Sequence, residues 1–358
     1  MTEPAFKLLI MNSGSTTTKV AVFENETPLF TEVVRHTADD LKDKHSIWDQ
    51  YGLRRDSVLD VLRQHNLSLE GMDAVVSRGG NFKPITSGIY LLNEEMLADA
   101  KSGQYSSHPC SVGCRVAFDL GAVIGKPALT VDPPCIDEFI PQSRYGGLPI
   151  FNRLSSFQAL NQKAIAKRLA ADLGRPYEEM TAVVAHMGGG MSIAAHDHGR
   201  VIDVNNGLDG DGPMAPERAG TVPAGQLISL CFSGRHSEAE IRRLINGRGG
   251  LVAYLGTTDA AEIVRRIEAG DEKAKGAFDA MIYQIGKSIG GAAVSLKGQV
   301  QAIGLTGGLA YAKYLVEELT RWVGWIAPIH LYPGENEMDS LARGALRYLR
   351  GQEAPQPY

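Results

Sequence analysis

LLIMNSGSTTTKVAVFENETPLF, residues 8–30, carries the pattern that decides the fold. An apolar run leads into a loop of small polar residues, a second apolar run, a turn and a third apolar run. Residues 182–202 repeat this pattern as AVVAHMGGGMSIAAHDHGRVI. Both segments predict a strand, a tight loop, a strand, a turn and a strand, because short apolar runs bounded by Gly, Asn, Asp and Ser are typical of hairpins.

A second pair of segments supports a duplication within the chain. Residues 73–80, DAVVSRGG, are similar to residues 301–308, QAIGLTGG, and each predicts a short buried strand that ends at two glycines. The two pairs are spaced differently along the chain, so the halves should carry different insertions. We therefore expect a duplicated α/β unit with two lobes.

Helices are expected between these strands. Apolar residues recur at helical spacing in three segments, residues 157–169, 278–296 and 338–349. Asp259 and Glu262 predict a capping box at the start of another helix, and Gly270 predicts its end. The final segment, residues 352–358, is rich in Pro and Gln and is expected to be a loose tail.

Composition excludes several classes of protein. The chain has 358 residues and a formal charge of −5, so no basic surplus attracts nucleic acid or an anionic membrane. No apolar run approaches the roughly 18 residues of a membrane span, and the apolar start is too short for a secretory signal. A cytoplasmic enzyme is expected, with its four cysteines as reduced thiols.

Glycine is frequent, at 40 of 358 residues, and it clusters where strands are expected to end. Such loops bring backbone N–H groups close to a phosphate. A Walker A loop is excluded because its first glycine would fall at Met281, and a dinucleotide fingerprint is excluded by Ile193. A strand-turn-strand phosphate clamp that is present twice suits the ribonuclease H-like, actin-like ATPase fold. The candidate phosphate or nucleotide glycines are Gly14, Gly79, Gly80, Gly188, Gly189, Gly190, Gly249, Gly250, Gly307 and Gly308.

Polar side chains beside these loops supply donors and acids for phosphate chemistry. Arg78 precedes Gly79, and Arg218 lies in an acidic, glycine-rich loop over residues 203–220 that could hold Mg²⁺. His186 ends a predicted strand, as does Asp132, where carboxylates often serve metals or phosphates. The remaining candidates are Asn12, Ser15, Thr16 and Lys19 for phosphate and the loop histidine His108.

At these positions the chain resembles the acetate and butyrate kinase family. The similar motifs, in order, are NSGSTTTK at 12–19, HMGGGMS at 186–192, DVNN at 203–206, PERAG at 216–220, GGLVAYLG at 249–256, LTGGL at 305–309 and YPGENE at 332–337. They run through nearly the whole chain. The chain's length and the wording around DVNN favour the butyrate branch of the family.

The resemblance implies ATP, Mg²⁺ and formation of an acyl phosphate from a small carboxylic acid. By position, it implies that Asn12 and Ser15 contact phosphate, and that Arg78 and Arg218 contact the reacting groups. It also implies that His108 and His186 line the site, and that Asp132 and Glu337 serve the metal and positioning. A homodimer or larger assembly is expected.

The resemblance also suggests a domain division and two departures from the family. Residues 1–150 with 338–358 would form the carboxylate and phosphate lobe, and residues 151–337 the nucleotide lobe. Butyrate kinases usually have proline where this chain has Ser13, which is expected to loosen that turn. They usually have histidine where this chain has Gln158, which cannot be a cation, so no cationic role is expected there and substrate preference is expected to differ.

Charge determines the expected chemistry. A fatty acid has a pKa near that of Glu, about 4.3, so its carboxylate is ionised at neutral pH and needs no general base. Direct in-line transfer without a phosphoenzyme is expected. Two alternatives are a kinase for propionate, isobutyrate or another branched acid, and an actin- or chaperone-like ATP switch. A third, a sugar kinase, would need an aspartate base such as Asp132 or Asp203.

Overall fold

The computed structural model describes residues 5–358. The chain divides into two compact units, the first running up to Ile136 and resuming at Asn336–Tyr358, the second comprising Asp137–Glu335. The sequence predicted residues 1–150 with 338–358 as the carboxylate lobe and residues 151–337 as the nucleotide lobe. That division and its assignment of roles stay predictions.

The first unit is built on a six-stranded sheet. Its strands are β1 (Lys7–Ser13), β2 (Thr17–Glu24), β3 (Thr27–Arg35), β4 (Ala74–Ser77), β5 (Ile89–Leu91) and β6 (Ala128–Val131). Their order is β3-β2-β1-β4-β6-β5, with β4 parallel to β1 and β6, and with antiparallel pairing elsewhere. The helices are α1 (Ala38–Leu41), α2 (Tyr51–Gln64), α3 (Glu94–Ser102), α4 (Cys110–Ile124) and, near the end of the chain, α12 (Glu337–Leu349).

The second unit is built on a five-stranded sheet. Its strands are β7 (Thr181–Met187), β8 (Met191–Asp197), β9 (Arg200–Val204), β10 (Ala302–Gly307) and β11 (Ile329–Pro333), in the order β11-β10-β7-β8-β9. Strand β10 is parallel to both β7 and β11. The helices are α5 (Ala159–Asp172), α6 (Ala224–Cys231), α7 (Glu238–Ile245), α8 (Leu251–Leu255), α9 (Ala260–Glu268), α10 (Glu272–Ser295) and α11 (Lys313–Val323).

Apolar side chains pack the helices against the two sheets. In β1, Leu9 and Met11 join a cluster with Cys114 of α4, whereas the equally buried Leu8 and Ile10 face the other side of the sheet, because side chains alternate along a strand. In the second unit, Phe278 of α10 lies in the cluster that covers one face of β7, and α5 covers the other face. Both central strands are therefore buried on two sides.

The predicted duplication is confirmed. Each sheet begins with an antiparallel three-stranded meander, β1-β2-β3 or β7-β8-β9, and each first strand has a later parallel neighbour, β4 or β10. The two segments that end in paired glycines form those parallel neighbours. The three helices predicted from apolar periodicity are present as α5, α10 and α12.

Two local predictions are wrong. The carboxylate of Asp259 caps α9 by accepting from the Ala261 N–H (2.9 Å), but Glu262 accepts from the Thr257 hydroxyl and so completes no capping box. The expected loose tail is docked, since the Gln356 N–H donates to the Ile89 carbonyl (2.7 Å) and the Tyr358 hydroxyl donates to Asp99 (2.5 Å). The composition of a segment does not show which distant residues it will contact, so these partners could not be predicted. None of the helices in residues 5–358 combines the length and the apolar composition that a membrane span requires.

Candidate active site

The loop between β1 and β2 carries the first predicted phosphate residues. The Gly14 N–H donates to the Thr17 carbonyl (2.8 Å), which closes a tight turn with Ser15 and Thr16 exposed at its tip. Lys19 is exposed on β2 and lies opposite Asn12 in the strand register. The tip therefore presents two hydroxyls, with an amide and an ammonium group at its base.

Arg54, which the sequence reasoning missed, supports this loop from behind. It is only 1% exposed on α2, and its guanidinium donates to the carbonyls of Thr17 (3.0 Å) and Gly14 (2.8 Å). It also donates to the Thr18 hydroxyl (3.0 Å), the Ser15 carbonyl (3.3 Å) and the amide oxygen of Gln50. A signal was present, because Arg54 shares its helical stripe with buried Val58 and Val61.

Asn12, Arg78 and Glu337 lie together in the first unit. One carboxylate oxygen of Glu337 accepts from Asn12 Nδ2 (2.7 Å), and the other accepts from Arg78 Nε (3.3 Å). Arg78 is 9% exposed, and its buried Nη1 has no hydrogen-bond partner within the described chain. A buried guanidinium nitrogen with free N–H groups fits an anionic ligand, because an unsatisfied buried donor is costly.

Asp132 follows β6 and is 2% exposed, with φ +43°. Its Oδ1 accepts from the Ser87 hydroxyl (2.6 Å) and the Gly88 N–H (2.9 Å), so part of the carboxylate caps that turn. The backbone at Gly79 has φ +97° and passes close to Pro133, where a Cβ would lie 2.5 Å from the proline Cβ. Gly79 thus lets the segment after Arg78 run beside the segment that carries Asp132.

His108 is exposed just before α4. Its Nδ1 accepts from the Cys110 N–H (3.2 Å), so in the neutral ring the proton lies on Nε2. Partial removal from water, followed by the positive charges of Arg54 and Arg78, lowers the pKa of His108 below its ordinary value. A neutral ring that donates through Nε2 is therefore favoured.

In the second unit, the loop between β7 and β8 is made of glycines. Its Gly188 N–H donates to the Gly190 carbonyl (3.1 Å). His186 is 2% exposed at the end of β7; its Nδ1 lies 2.9 Å from Asn161 Oδ1 and its Nε2 lies 3.0 Å from Glu335 Oε1. Asn161 and Glu335 were not predicted, and they fix the ring beside the glycine loop.

Arg218 lies directly over this loop. A Cβ added to Gly190 would be 2.0 Å from Arg218 Nη1, so only glycine leaves room for the guanidinium. The Arg218 Nε donates to Asn246 Oδ1 (3.1 Å), and burial lowers the pKa of the guanidinium without removing its charge. The structure therefore brings Arg218 and Gly188–Gly190 together, as their predicted roles require.

The paired glycines occupy different surroundings. A Cβ on Gly250 would lie 1.8 Å from the Ala215 carbonyl oxygen, and one on Gly249 would lie 2.3 Å from the Leu244 carbonyl oxygen and 2.7 Å from the Ala219 nitrogen. These glycines hold the loop that carries Arg218, and their contact with nucleotide stays a prediction. A Cβ on Gly307 would lie 2.3 Å from the Met187 carbonyl oxygen, which brings the ends of β10 and β7 together.

A pocket of about 870 Å³ opens in the second unit. Three predicted phosphate or nucleotide glycines, Gly188, Gly189 and Gly308, form part of its lining. Its volume is within the usual range for small-molecule sites. The other lining residues are Pro216, Glu217, Thr258, Asp259, Ala260, Ala261, Val264, Arg265, Glu268, Leu309, Tyr311, Ala312, Lys313, Tyr314 and Glu317.

The three aspartates of the loop over residues 203–220 have internal partners. Asp203 and Asp211 pair with Arg153 (2.8 and 3.2 Å), and Asp209 accepts from the Asn206 side chain. Across the described part of the chain, no group of three or more His, Cys, Asp or Glu residues is arranged to hold a metal ion. A metal here would need ligands from its substrate.

The two departures from the family pattern are also located. Ser13 is 3% exposed and pairs with Thr18 in the β1–β2 register, so it is part of a regular hairpin. Gln158 immediately precedes α5, and its buried Oε1 has no hydrogen-bond partner among the described residues. The effects of both on the turn and on substrate preference stay predictions.

Comparison with known proteins places the chain in a family. A model of the acetokinase family matches residues 151–323. Two curated proteins from strains of Clostridium botulinum, each described as a probable butyrate kinase, are 46% identical to it over 354 residues, covering 99% of this chain and 100% of theirs. The chain therefore belongs to the acetokinase family.

Solved structures confirm the predicted fold. The acetate kinase from Porphyromonas gingivalis matches with a TM-score of 0.81 and 21% identity, covering 96% of this chain and 100% of that one. A propionate kinase from Francisella tularensis matches with a TM-score of 0.75 and 18% identity, covering 95% and 98%. The duplicated α/β unit thus has the two-lobe, actin-like ATPase fold.

Proposed function

We propose that this chain transfers the γ-phosphoryl group of ATP to the carboxylate of butyrate, and that it catalyses the reverse reaction. The observation that carries the proposal is the full-length, 46% identity to proteins described as probable butyrate kinases. The arrangement of arginines and glycine loops supports the reaction class, because phosphoryl transfer depends mainly on positioning and charge stabilisation.

In the proposed reaction, a carboxylate oxygen of butyrate attacks the γ-phosphorus and the bond between that phosphorus and the bridging oxygen breaks. ADP leaves with the electron pair, and the product is butyryl phosphate. The nucleophile is already an anion, so no side chain has to remove a proton. The protein must instead bring two anions together, which requires donors and positive charges.

Arg78 and Arg218 are the proposed cationic donors. The unpartnered Nη1 of Arg78 supports binding of an anionic oxygen, and Glu337 orients the guanidinium through Nε. Arg218 is oriented by Asn246 and by its contact with Gly190. His108 is proposed to donate a hydrogen bond to a reacting group through Nε2. Both ring nitrogens of His186 are already engaged, by Asn161 and Glu335, so His186 is proposed to line the site beside the glycine loop.

The phosphates and the nucleoside are proposed to bind at the glycine loops. Asn12, Ser15, Thr16 and Lys19 would contact the transferring phosphoryl group, and Gly188–Gly190 would contact the ATP phosphates. The pocket of about 870 Å³, lined by Gly188 and Gly308, has room for the rest of the nucleotide. Gly249, Gly250 and Gly307 are proposed to shape this region.

Mg²⁺ is proposed to bind with Glu337 and Asp132. The donor set fits, because Mg²⁺ is commonly held by one or two carboxylates together with substrate phosphates and water. A site of that kind needs no cluster of three protein ligands, which agrees with the arrangement of the acids described above. Bound there, the ion would neutralise phosphate charge.

A cytoplasmic location and a homodimeric or larger assembly are also proposed. All four cysteines are free, as expected for a reducing compartment, and ATP is supplied inside the cell. In α6 no residue is buried, and the adjoining Phe232 is 88% exposed, which supports a subunit contact on that face. Light scattering of the purified protein would test the assembly.

Hydroxylamine trapping tests the function. The protein would be incubated with ATP, Mg²⁺ and straight or branched acids of two to six carbons, and the acyl hydroxamate measured. We expect the signal to depend on the acid and to be largest for butyrate. A maximum at propionate or isobutyrate would replace the proposed substrate, and no hydroxamate from folded, ATP-binding protein would overturn the proposal.

A further inference from the structure

Arg54 is a buried cation whose hydrogen-bond partners in residues 5–358 are all neutral. Its three nitrogens donate to the carbonyls, hydroxyl and amide oxygen described above. No carboxylate forms an ion pair with it within residues 5–358, and burial lowers its pKa. Burying a charge without a counter-ion is expensive, so its retention calls for an anion nearby.

Arg54 donates to the backbone of the exposed loop between β1 and β2. The carbonyls of Gly14 and Ser15 both point at Arg54 Nη2, at 2.8 and 3.3 Å. In a planar trans peptide the N–H of the next residue points the opposite way, and the described chain has no cis peptide bond. The N–H groups of Ser15 and Thr16 must therefore point away from Arg54.

Neither of these two N–H groups donates to another group within the described chain, and both residues are exposed. Consecutive outward N–H groups form a concave anion site of the kind that binds phosphate oxygens. Two independent features, the direction of the peptide planes and the buried charge behind them, thus point to the same place.

We propose that Arg54 is a positioning residue for phosphate recognition. It fixes residues 14–18 so that the Ser15 and Thr16 N–H groups face a phosphoryl oxygen, and its charge strengthens that site without touching the ligand. The proposal rests on the proposed function for the identity of the ligand, a phosphoryl group of ATP or of the acyl phosphate. Gln50, which accepts from Nε and Nη2 (3.0 and 2.8 Å), holds the guanidinium in this orientation.

Inorganic phosphate is the probe for the test. The amide signals of Ser15 and Thr16 would be followed by NMR during a phosphate titration of deuterated, ¹⁵N-labelled protein. We expect both signals to shift in the wild type, and Arg54→Met to weaken phosphate binding by about tenfold or more, because hydrogen bonds and charges that act on an anion are strong. Arg54→Lys keeps the positive charge but loses the planar set of guanidinium donors, so its phosphate affinity should lie between those of the wild type and Arg54→Met.

Arg55→Met is the matched control, since Arg55 is the next residue of α2 but is only partly buried and pairs with Asp56. Its phosphate affinity should equal that of the wild type. If Arg54→Met does not fold, Gln50→Leu tests the same orientation with a smaller change, and it should weaken phosphate binding severalfold. Affinity in Arg54→Met or Gln50→Leu within twofold of the control, or wild-type signals of Ser15 and Thr16 that ignore phosphate, would overturn the proposal.

Two histidines distinguish lost charge from general damage. Burial and then the charge of Arg54 lower the pKa of His36, and the charge of Asp40 partly opposes this. Burial, Arg54 and Arg78 lower the pKa of His108. Both pKa values should rise in Arg54→Met and stay low in Arg54→Lys. These titrations and the phosphate shifts need no turnover, so an inactive wild type would reject the proposed function and leave this inference separately testable.

Discussion

The two hairpin loops occupy the same position in the two sheets but are built in opposite ways. The loop between β1 and β2 carries polar side chains, and Arg54 holds it from behind. The loop between β7 and β8 has no side chains from Gly188 to Gly190. Each Cβ would meet a side chain from elsewhere in the second unit: Glu335 at 2.8 Å, Glu217 at 3.1 Å and Arg218 at 2.0 Å.

This difference shows how a duplicated backbone acquires two kinds of site. The strand order fixes where each loop lies, and the segments inserted between strands decide what surrounds it. Helix α2 delivers Arg54 to the first loop, whereas the segment between β9 and α6 delivers Arg218 to the second. The first loop contributes its own donors, and the second makes room for donors from other segments.

The largest expected effect concerns Arg218. Arg218→Ala should lower kcat by about 10²–10³-fold, the usual cost of losing one donor that stabilises transition-state charge, while ATP affinity changes by less than about threefold. Arg242→Ala, which removes an exposed guanidinium on α7 paired with Glu238, is the control. Steady-state kinetics and ATP titrations give both numbers; near-normal kcat in Arg218→Ala would remove Arg218 from the reaction.

A matched pair of glycine substitutions tests the contrast between the loops. Gly190→Ala would force the Arg218 guanidinium away, so kcat should fall by about tenfold or more. Gly14→Ala meets only the movable Thr17 hydroxyl at 2.9 Å, so its effect should stay within about threefold. Steady-state kinetics would be measured for both variants and for Gly190→Ala combined with Arg218→Ala. Because both changes act on the same guanidinium, the double variant should lose little more kcat than Arg218→Ala alone. Equal effects of the two glycine changes would contradict the contrast.

A smaller effect concerns the buried groups behind the second sheet. His196 is fully buried between the Tyr177 hydroxyl (2.7 Å) and Gln162 (3.0 Å), and burial, then the charge of Lys163, holds its pKa well below the ordinary value. Below about pH 6.5, His196 is therefore protonated in the unfolded chain but stays neutral in the native state. Stability should be full above about pH 6.5 and fall by about 1.4 kcal/mol per pH unit below it for this group.

Urea unfolding between pH 7.5 and 5.5 measures this dependence. His196→Gln should reduce the slope by about one proton, whatever its effect on stability at pH 7.5. His198→Gln, in the exposed turn two residues later, is the control variant. If the free energy of unfolding has the same pH slope in His196→Gln as in the wild type, the pKa of His196 is not lowered in the native state.

Periodic patterns made much of the fold predictable from the sequence. The hairpins and their parallel neighbours follow from short apolar runs, and α10 follows from its apolar stripe, because burial imposes these periods. Contacts between distant segments leave no such period. The partners of Tyr358 and the packing of Gly250 against Ala215 come from tertiary structure.

The sequence predicted the residues that would contact ligands better than the residues that hold them in place. Arg78 and Glu337 were expected from motifs, and the structure places them in contact. Arg54 was missed because an arginine on a helix is usually solvated, as its partly exposed neighbour Arg55 is. The buried stripe of α2 was the available signal.

The proposal depends on attack by a carboxylate oxygen on phosphorus, and ³¹P NMR of the product formed from ¹⁸O-labelled butyrate tests that step. With ATP and Mg²⁺ present, we expect butyryl phosphate whose phosphorus signal carries the isotope shift of one ¹⁸O in the bridge to the acyl carbon. Release of unlabelled inorganic phosphate alone, at a rate independent of butyrate, would contradict it.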